Sequence, residues 1–370
     1  MNIALLLSGG VDSSVALARL IEQGHTVTAF YLKIWLEDEL SFLGDCPWEQ
    51  DLAYARKVCE QMNVPLEVVP LQKEYHERIV SYTVSEARAG RTPSPDVLCN
   101  QRIKFGAFLE FLATRESDFF PGLTRDPASG PRVNPGKKSF DKIASGHYAQ
   151  IIDGTLRLAP DPIKDQTYFL AHLSQQQIDN LLFPIGDLTK KEVRELAQQH
   201  NLPTKDRKDS QGICFLGKIS FNQFLEHYLG TQQGDIIEEE TGTVLGPHNG
   251  FWFHTVGQRK GLGLSGGPWY VVRKDIEKNI VYVSRNYYSD DKKRNSFATD
   301  PVHWISGMPP SHKQLLIKIR HGAHRHTGDM MYHDDGSVTV QLYEDDQGLA
   351  PGQFAVFYDG DVCLGCGVLR

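Results

Sequence analysis

The first residues that could do chemistry together are Ser8, Gly9, Gly10, Val11, Asp12, Ser13 and Ser14. They lie between an apolar run, Ile3 to Leu7, and a segment of helical periodicity, Asp12 to Gln23, with Val15, Leu17, Ala18 and Ile21 on one face. Two glycines permit a tight turn and a close approach of backbone to ligand. The free N–H groups that open a helix, with its dipole, attract an anion. Ser8, Ser13 and Ser14 add hydroxyls, and Asp12 could hold Mg²⁺ or cap the helix. No Gly-Lys-Ser/Thr is present, so this is not the phosphate loop of kinases and GTPases.

Two cysteines form the second constellation. Cys99 ends the string Arg91-Thr92-Pro93-Ser94-Pro95-Asp96-Val97-Leu98-Cys99-Asn100. The prolines stiffen an extended approach, and Cys99 is expected to open a helix over 100–114. A thiol at a helix N-terminus has a lowered pKa. Asp96, three residues earlier, could act as a general acid or base. Cys214 sits in Asp209-Ser210-Gln211-Gly212-Ile213-Cys214-Phe215, with Arg207 and Lys208 nearby to favour a thiolate. Of the other four cysteines, Cys46 and Cys59 read as structural. Cys363-x-x-Cys366 lacks the second pair a metal site would need, and reads as accidental. His321, His324 and His326 cluster, but no carboxylate or cysteine stands at matching sequence spacing, so no metal site is expected.

The elements that must position these residues alternate. Strands are predicted at Ile3–Leu7, Thr26–Leu32, Leu66–Leu71 and 142–145, and helices at 12–23, 48–62, 73–89, 100–114 and 189–200. Such β-α-β-α order predicts an α/β fold with a doubly wound parallel sheet, whose ligands bind at the carboxyl ends of the strands. The stretch 117–140, with four prolines and three glycines, reads as a surface loop. After about Ser220 the pattern changes. A helix at 221–229 precedes a hairpin at 269–284 and short strands at 314–320, 337–343, 353–358 and 362–369, which suggest a small closed β barrel. The expected units are 1–218, a catalytic domain; 219–288, a small central α+β domain; and 289–370, the β barrel.

A chain of 370 residues is too long for one ordinary core. No apolar run approaches the ~20 residues that span a bilayer, and the N-terminus lacks a basic secretory leader. A soluble, cytoplasmic protein that does not engage membranes is expected. Scattered cysteines in a reducing compartment make any disulfide transient and catalytic. The net charge of −7 argues mildly against nucleic acid, but basic residues gather at Lys190-Lys191, 205–208, 292–294 and 318–326.

The string Ser8 to Ser14 resembles the signature of the ATP pyrophosphatase superfamily, which cleaves ATP to AMP and pyrophosphate. Further strings make the whole chain similar to the tRNA-specific 2-thiouridylases. They are Arg91 to Phe105, Gly146-His147-Tyr148, Lys164 to Phe169, Gly212 to Phe215, Thr255 to Gly263, Ala350 to Gln353 and Tyr358-Asp359-Gly360. The resemblance implies that Leu7 to Ser14, Leu32 and Gly146 bind ATP, with Mg²⁺ as its companion and no resident metal or organic cofactor. It implies that Ser94, Pro95, Asp96, His147, Lys164, Asp165, Gln166, Arg320, His321 and Gln353 meet tRNA. Cys214 would carry a persulfide and Cys99 would be its partner nucleophile, the two closing a transient disulfide. A persulfide carrier or cysteine desulfurase would supply the sulfur to a monomer. The chain departs from the family pattern at Ser94, where Asn is usual, at Leu32, where Met is usual, and in Cys363-Leu-Gly-Cys366, which has a cysteine where Gly is expected; the 117–140 loop reads as an insertion. A small-molecule ligase of the same superfamily would not need the two cysteines. An iron–sulfur thiolase would need at least three clustered ones, and a mere RNA-binding module would leave both motifs unused.

Overall fold

The computed structural model describes residues 1–34, 48–115, 140–208, 219–292, 294–346 and 348–370. Cys46, Cys214 and, apart from Phe140, the 117–140 stretch lie outside them. Strand β1 (Asn2–Leu6) is buried along nearly its whole length, as expected of a central strand covered on both faces. Helix α1 (Val11–Glu22) crosses to β2 (Thr26–Lys33), α2 (Trp48–Met62) to β3 (Leu66–Pro70), and both connections return a parallel neighbour. Helices α3 (residues 72–88) and α4 (residues 95–115) follow, then β4 (Lys142–Ser145) on the other side of β1. A hairpin, β5 (Gln150–Ile152) and β6 (Thr155–Arg157), precedes two short helices, α5 (Thr167–Leu170) and α6 (Gln175–Ile178). Strand β7 (Leu181–Leu182) completes a parallel sheet in the order β3-β2-β1-β4-β7, and α7 (Lys190–Gln199) packs beside α1.

Two helices depart from the regular α pattern. Both α3 and α4 contain a wide π-type stretch, at His76–Val80 and Asn100–Ala107. A π turn displaces carbonyls from their usual partners. In α4 the Gln177 amide donates to the carbonyls of Gln101 (2.9 Å) and Phe105 (2.7 Å). Helix α4 also starts earlier than expected. Pro95 occupies its first turn after Ser94, and Pro favours that position because its missing N–H is not needed there. Cys99 therefore lies in the second turn, not at the N-terminus, and the dipole argument for a lowered thiol pKa fails. The helix cap of α1 is Gly10 rather than Asp12.

Helix α8 (Phe221–Leu229), closed by a Ser220/Gln223 capping box, leads to a four-stranded sheet in the order β10-β11-β8-β9. Its strands are β8 (Gly234–Glu238), β9 (Val244–His248), β10 (Tyr270–Asp275) and β11 (Ile280–Ser284), the last two being the expected hairpin. The C-terminal strands are β12 (Ser296–Ala298), β13 (His303–Trp304), β14 (Gln314–Lys318), β15 (His326–Tyr332), β16 (Val338–Leu342), β17 (Phe354–Asp359) and β18 (Val362–Val368). They run β12-β16-β15-β14-β17-β18, and a Thr299–Leu369 bridge joins the two ends, closing the barrel.

One hairpin crosses the boundary drawn from sequence. Strands β5 and β6, inside the first 218 residues, pair with β18 of the barrel through Val362 and Arg157. The core is shared as well: Val97, Leu98, Cys99 and Tyr168 lie in one buried cluster with Phe354, Val356, Tyr358, Cys363 and Cys366. Burial pushes the thiols of Cys363 and Cys366 far above their usual range, so both act as small apolar side chains. No helix among the described residues is long and apolar enough to cross a membrane.

Two imidazoles make the fold sensitive to acid. His172 stacks on His303 at 4.7 Å, and His254 lies 5.3 Å from His248. Burial, reinforced by the neighbouring imidazole, lowers each to about 4 from 6.5. Both are neutral when folded but take up protons near 6.5 when unfolded. The unfolded chain thus binds more protons between pH 6.5 and about 4, and stability falls as pH falls through that window. From pH 7 to pH 5 the expected loss is roughly 2 kcal/mol per imidazole. Urea midpoints at the two pH values measure it, and His172→Gln should narrow the difference.

Candidate active site

The turn after β1 lies at the carboxyl edge of the parallel sheet, where open α/β folds bind ligands. Ser8 N–H donates to Ser13 Oγ (3.2 Å), and the two hydroxyl oxygens are 3.1 Å apart. Ser14 Oγ donates to the Gly10 carbonyl (2.8 Å). Gly9 holds φ at +75°, and a Cβ there would lie 2.1 Å from the Asp51 carbonyl oxygen at the start of α2. Arg207 fixes this turn from outside. It donates to the Gly9 carbonyl, pairs with Asp51 at 2.6 Å and lies over the Tyr54 ring at 4.4 Å.

The loop after β4 presses on the same turn. A Cβ at Gly146 would come within 2.7 Å of Ser13 N, so only glycine fits against the opening of α1. Tyr148 donates from its hydroxyl to Asp12 Oδ1 (2.8 Å), and Lys190, at the start of α7, donates to the same oxygen (2.7 Å). Gln166 grips Tyr148 twice through backbone and side chain, each at 2.9 Å. Leu32 is half-buried at the carboxyl end of β2, on the same edge of the sheet.

Helix α4 connects this turn to the thiol. Its Phe105 ring packs 5.9 Å from His147, which donates to or accepts from Ser145 Oγ at 2.8 Å and touches Phe183. Burial, then Lys104, pushes the His147 pKa well below its ordinary value. Toward the N-terminal end of α4, Asn100 donates to the Phe169 carbonyl (3.0 Å), and Cys99 is only 1% exposed. The loop before it is clipped from two sides. Thr92 N–H donates to the Pro351 carbonyl (2.7 Å), and its hydroxyl meets Thr255 at 3.3 Å. The His321 ring lies against Phe169, centroids 4.6 Å apart and planes tilted by 30°, and burial, Lys318 and Lys164 lower its pKa while Asp165 and Asp96 oppose them. Asp96, Lys164, Phe169 and His321 thus share one neighbourhood beside Cys99.

Three of the residues expected at RNA, Asp165, His147 and Pro95, are buried. Asp165 is buried in an ion pair with Lys318 (2.9 Å; side chains 2% and 3% exposed) and also accepts from Thr167 Oγ1 and Ala159 N–H. His147 is enclosed between aromatic rings, and Pro95 is buried too. Ser94, Asp96, Lys164, Gln166 and Gln353 are half-buried, and Arg320 and His321 are exposed.

Family models match nearly the whole chain. The one described as "tRNA methyl transferase HUP domain" covers residues 1–121 and 133–218. "tRNA methyl transferase PRC-barrel domain" covers 222–285 and "Aminomethyltransferase beta-barrel domain" 294–369. A Parabacteroides distasonis protein named tRNA-specific 2-thiouridylase MnmA is 45% identical over 385 residues, covering 100% of this chain and 99% of that one. One of the same name from Porphyromonas gingivalis is 44% identical over 383 residues, with the same coverage. The chain belongs to the tRNA-specific 2-thiouridylase family. It is therefore a transferase. The first match skips 122–132, inside the stretch read as an insertion. Solved structures overlap only distantly: an NMN synthetase from Francisella tularensis has a TM-score of 0.32 at 16% identity, over 62% of this chain and 77% of that one.

Three side chains of this 2-thiouridylase-family site escape a reading by motif. Lys190 appears in the sequence only as a member of a basic stretch, Arg207 as a neighbour of Cys214 rather than of the Gly9 turn it holds, and Tyr148 only as the end of a short string. Their signal is tertiary, since α7 must first be placed beside α1. A Gly146→Ala change should abolish ATP binding, because its Cβ pushes on the backbone that opens α1; nucleotide titration of the folded variant measures this. Lys318→Met should cost about 3–5 kcal/mol by stranding the Asp165 charge, and adding Asp165→Asn should recover much of that loss in thermal unfolding.

Proposed function

We propose that the chain catalyses ATP-dependent 2-thiolation of the wobble uridine, U34, in tRNA anticodons. The observation that carries this reading is one continuous path of packing. It runs from the Ser8–Ser14 turn through Gly146–His147 and Phe105 to the Cys99 end of α4. An anion-binding turn and a thiol held on one rigid support suit an activation followed by sulfur transfer. The family-model descriptions speak of methyl transfer, whereas the relatives' names speak of thiolation. A methyl transfer would need neither a turn for ATP pyrophosphate cleavage nor paired thiols.

In this reading the turn binds the ATP phosphates, and Leu32 and Gly146 flank the nucleotide. Asp12 receives Tyr148 and Lys190 on Oδ1, which leaves Oδ2 for the Mg²⁺ that accompanies ATP. The uridine O2 attacks the α-phosphorus and pyrophosphate leaves, so a poor leaving group becomes AMP. The terminal sulfur of a Cys214 persulfide attacks C2 and AMP departs. Cys99 thiolate then attacks Cys214 Sγ. The Sγ–S bond breaks, its electrons stay with the sulfur on C2, and a Cys99–Cys214 disulfide remains for an external dithiol to reduce. Asp96 serves as acid or base. The base must leave its stack to reach the buried thiol, and Phe169 with His321 offers rings on which it can stack. Residues 1–218 perform the chemistry; 219–288 and 289–370 hold the tRNA. A persulfide carrier or cysteine desulfurase loads a monomeric, cytoplasmic enzyme.

The test supplies purified chain with ATP, Mg²⁺, a persulfide donor and unmodified tRNA, then seeks 2-thiouridine by mass spectrometry of the digested RNA. Thiouridine from the wild type, lost in Cys99→Ser and in Cys214→Ser, is the expected result. AMP release with no thiolated base, unchanged in both variants, overturns the proposal.

A further inference from the structure

At one rim of the barrel the β15–β16 ladder pairs Gly328 with Leu342, and continuing that register sets position 326 opposite 344. There His324, His326 and Glu344 bring one ligand atom each within 4.8 Å of one another. Glu344 Oε2 lies 3.4 Å from His324 Nε2 and 3.8 Å from His326 Nδ1. Ligand atoms bound tetrahedrally to zinc at ~2.0–2.1 Å stand ~3.4 Å apart; the two distances to Glu344 are already close to this, and the imidazole nitrogens lie within 4.8 Å of each other.

His326 supplies the second, independent observation. Its side chain is 6% exposed, yet Nδ1 has no hydrogen-bond partner among the described residues. Leaving a buried polar atom unmet is costly. The other ring nitrogen, Nε2, lies 3.1 Å from Asp346 Oδ2, which is 5% exposed and held by Arg320 (2.8 and 3.1 Å) and Gly348 N–H (2.6 Å). A carboxylate that takes the proton of one ring nitrogen aims the lone pair of the other at the cluster, as in carboxylate–histidine–metal arrangements. A His324–Glu344 ion pair alone would leave His326 Nδ1 unmet.

We propose that His324, His326 and Glu344 form a binding site for one divalent transition-metal ion of the zinc type, with Asp346 orienting His326. Two imidazoles and a carboxylate suit such an ion rather than Mg²⁺ or Ca²⁺. His324 and Glu344 are each 65% exposed, so the ion would keep an outward position for water or an anionic ligand. It would lie beside Arg320, joined to it through Asp346. The site plays no part in the sulfur chemistry proposed above, and its success or failure is separate from that reading.

The experiment titrates untagged, metal-free full-length chain with Co²⁺, read by visible absorption, and then with Zn²⁺ in competition. The expected result is one saturable ion per chain with a nitrogen/oxygen spectrum lacking thiolate charge-transfer bands. Binding should be about tenfold or more weaker in His324→Ala and in Glu344→Gln, and roughly 10- to 100-fold weaker in Asp346→Asn. His324 and Glu344 are exposed, so these two variants should keep the fold, which circular dichroism checks. No saturable binding by the wild type overturns the proposal. So does binding that is unchanged in both exposed-residue variants, or a spectrum dominated by thiolate.

Discussion

Asp165 and Lys318 face each other in a place water does not reach, one from the segment that follows the β5–β6 hairpin and one from the last residue of β14. Removing two charges from solvent is expensive, and the attraction between them offsets that only when the remaining acceptor sites are filled. Here they are filled, by Thr167 Oγ1 and the Ala159 N–H, while Tyr358 closes over Thr167 at 3.2 Å. A pair this dependent on its surroundings fixes the relative position of everything that surrounds it. The parallel sheet and the barrel are thereby held as one body, and the hairpin pairing with β18 reinforces the same joint.

The next residue in the chain shows what the joint is for. Gln166 holds Tyr148 by two hydrogen bonds, Tyr148 holds Asp12, and Gly146 lies against the start of α1. On the other side Thr167 opens α5, whose Phe169 carbonyl receives Asn100 of α4 next to Cys99. Thus the Ser8–Ser14 turn and the thiol-bearing helix are both referenced to one short segment, 165–169. Catalytic groups are useful only when held within a fraction of an ångström of their working geometry. A segment anchored by a buried ion pair can do that where a free loop could not.

The parallel sheet and the closing barrel are legible from sequence because they rest on local periodicity and turn residues. The Ser8–Ser14 turn is legible for the same reason: its chemistry and its position in a strand–turn–helix unit are both local. What fails to show is pairing across distance. Asp165 reads as a polar residue in a motif, yet its partner is 153 positions away. Cys99 reads as opening a helix because the prolines before it read as an extended approach, although Pro95 at the first turn is a start. The carboxylate missing from the His324 and His326 cluster is supplied by Glu344 through strand pairing, which spacing along the chain cannot reveal. Strand β15 itself is not among the expected strands; its first residue, His326, closes the basic stretch 318–326.

That stretch carries a wider point about charge. Lysines and arginines counted as possible RNA contacts are in part already engaged inside the molecule: Lys318 with Asp165, Lys190 with Asp12, Arg207 with Asp51 and Gly9, Arg320 with Asp346. Their first task is to hold carboxylates and turns in place. A chain with a net charge of −7 therefore cannot rely on a broad positive field to attract RNA. In the function proposed above, recognition comes from geometry instead: the Phe169 and His321 rings, 4.6 Å apart, give an unstacked base a surface to lie on. Sequence counts of basic residues measure none of this, because the same side chain has opposite meanings on the surface and in the core.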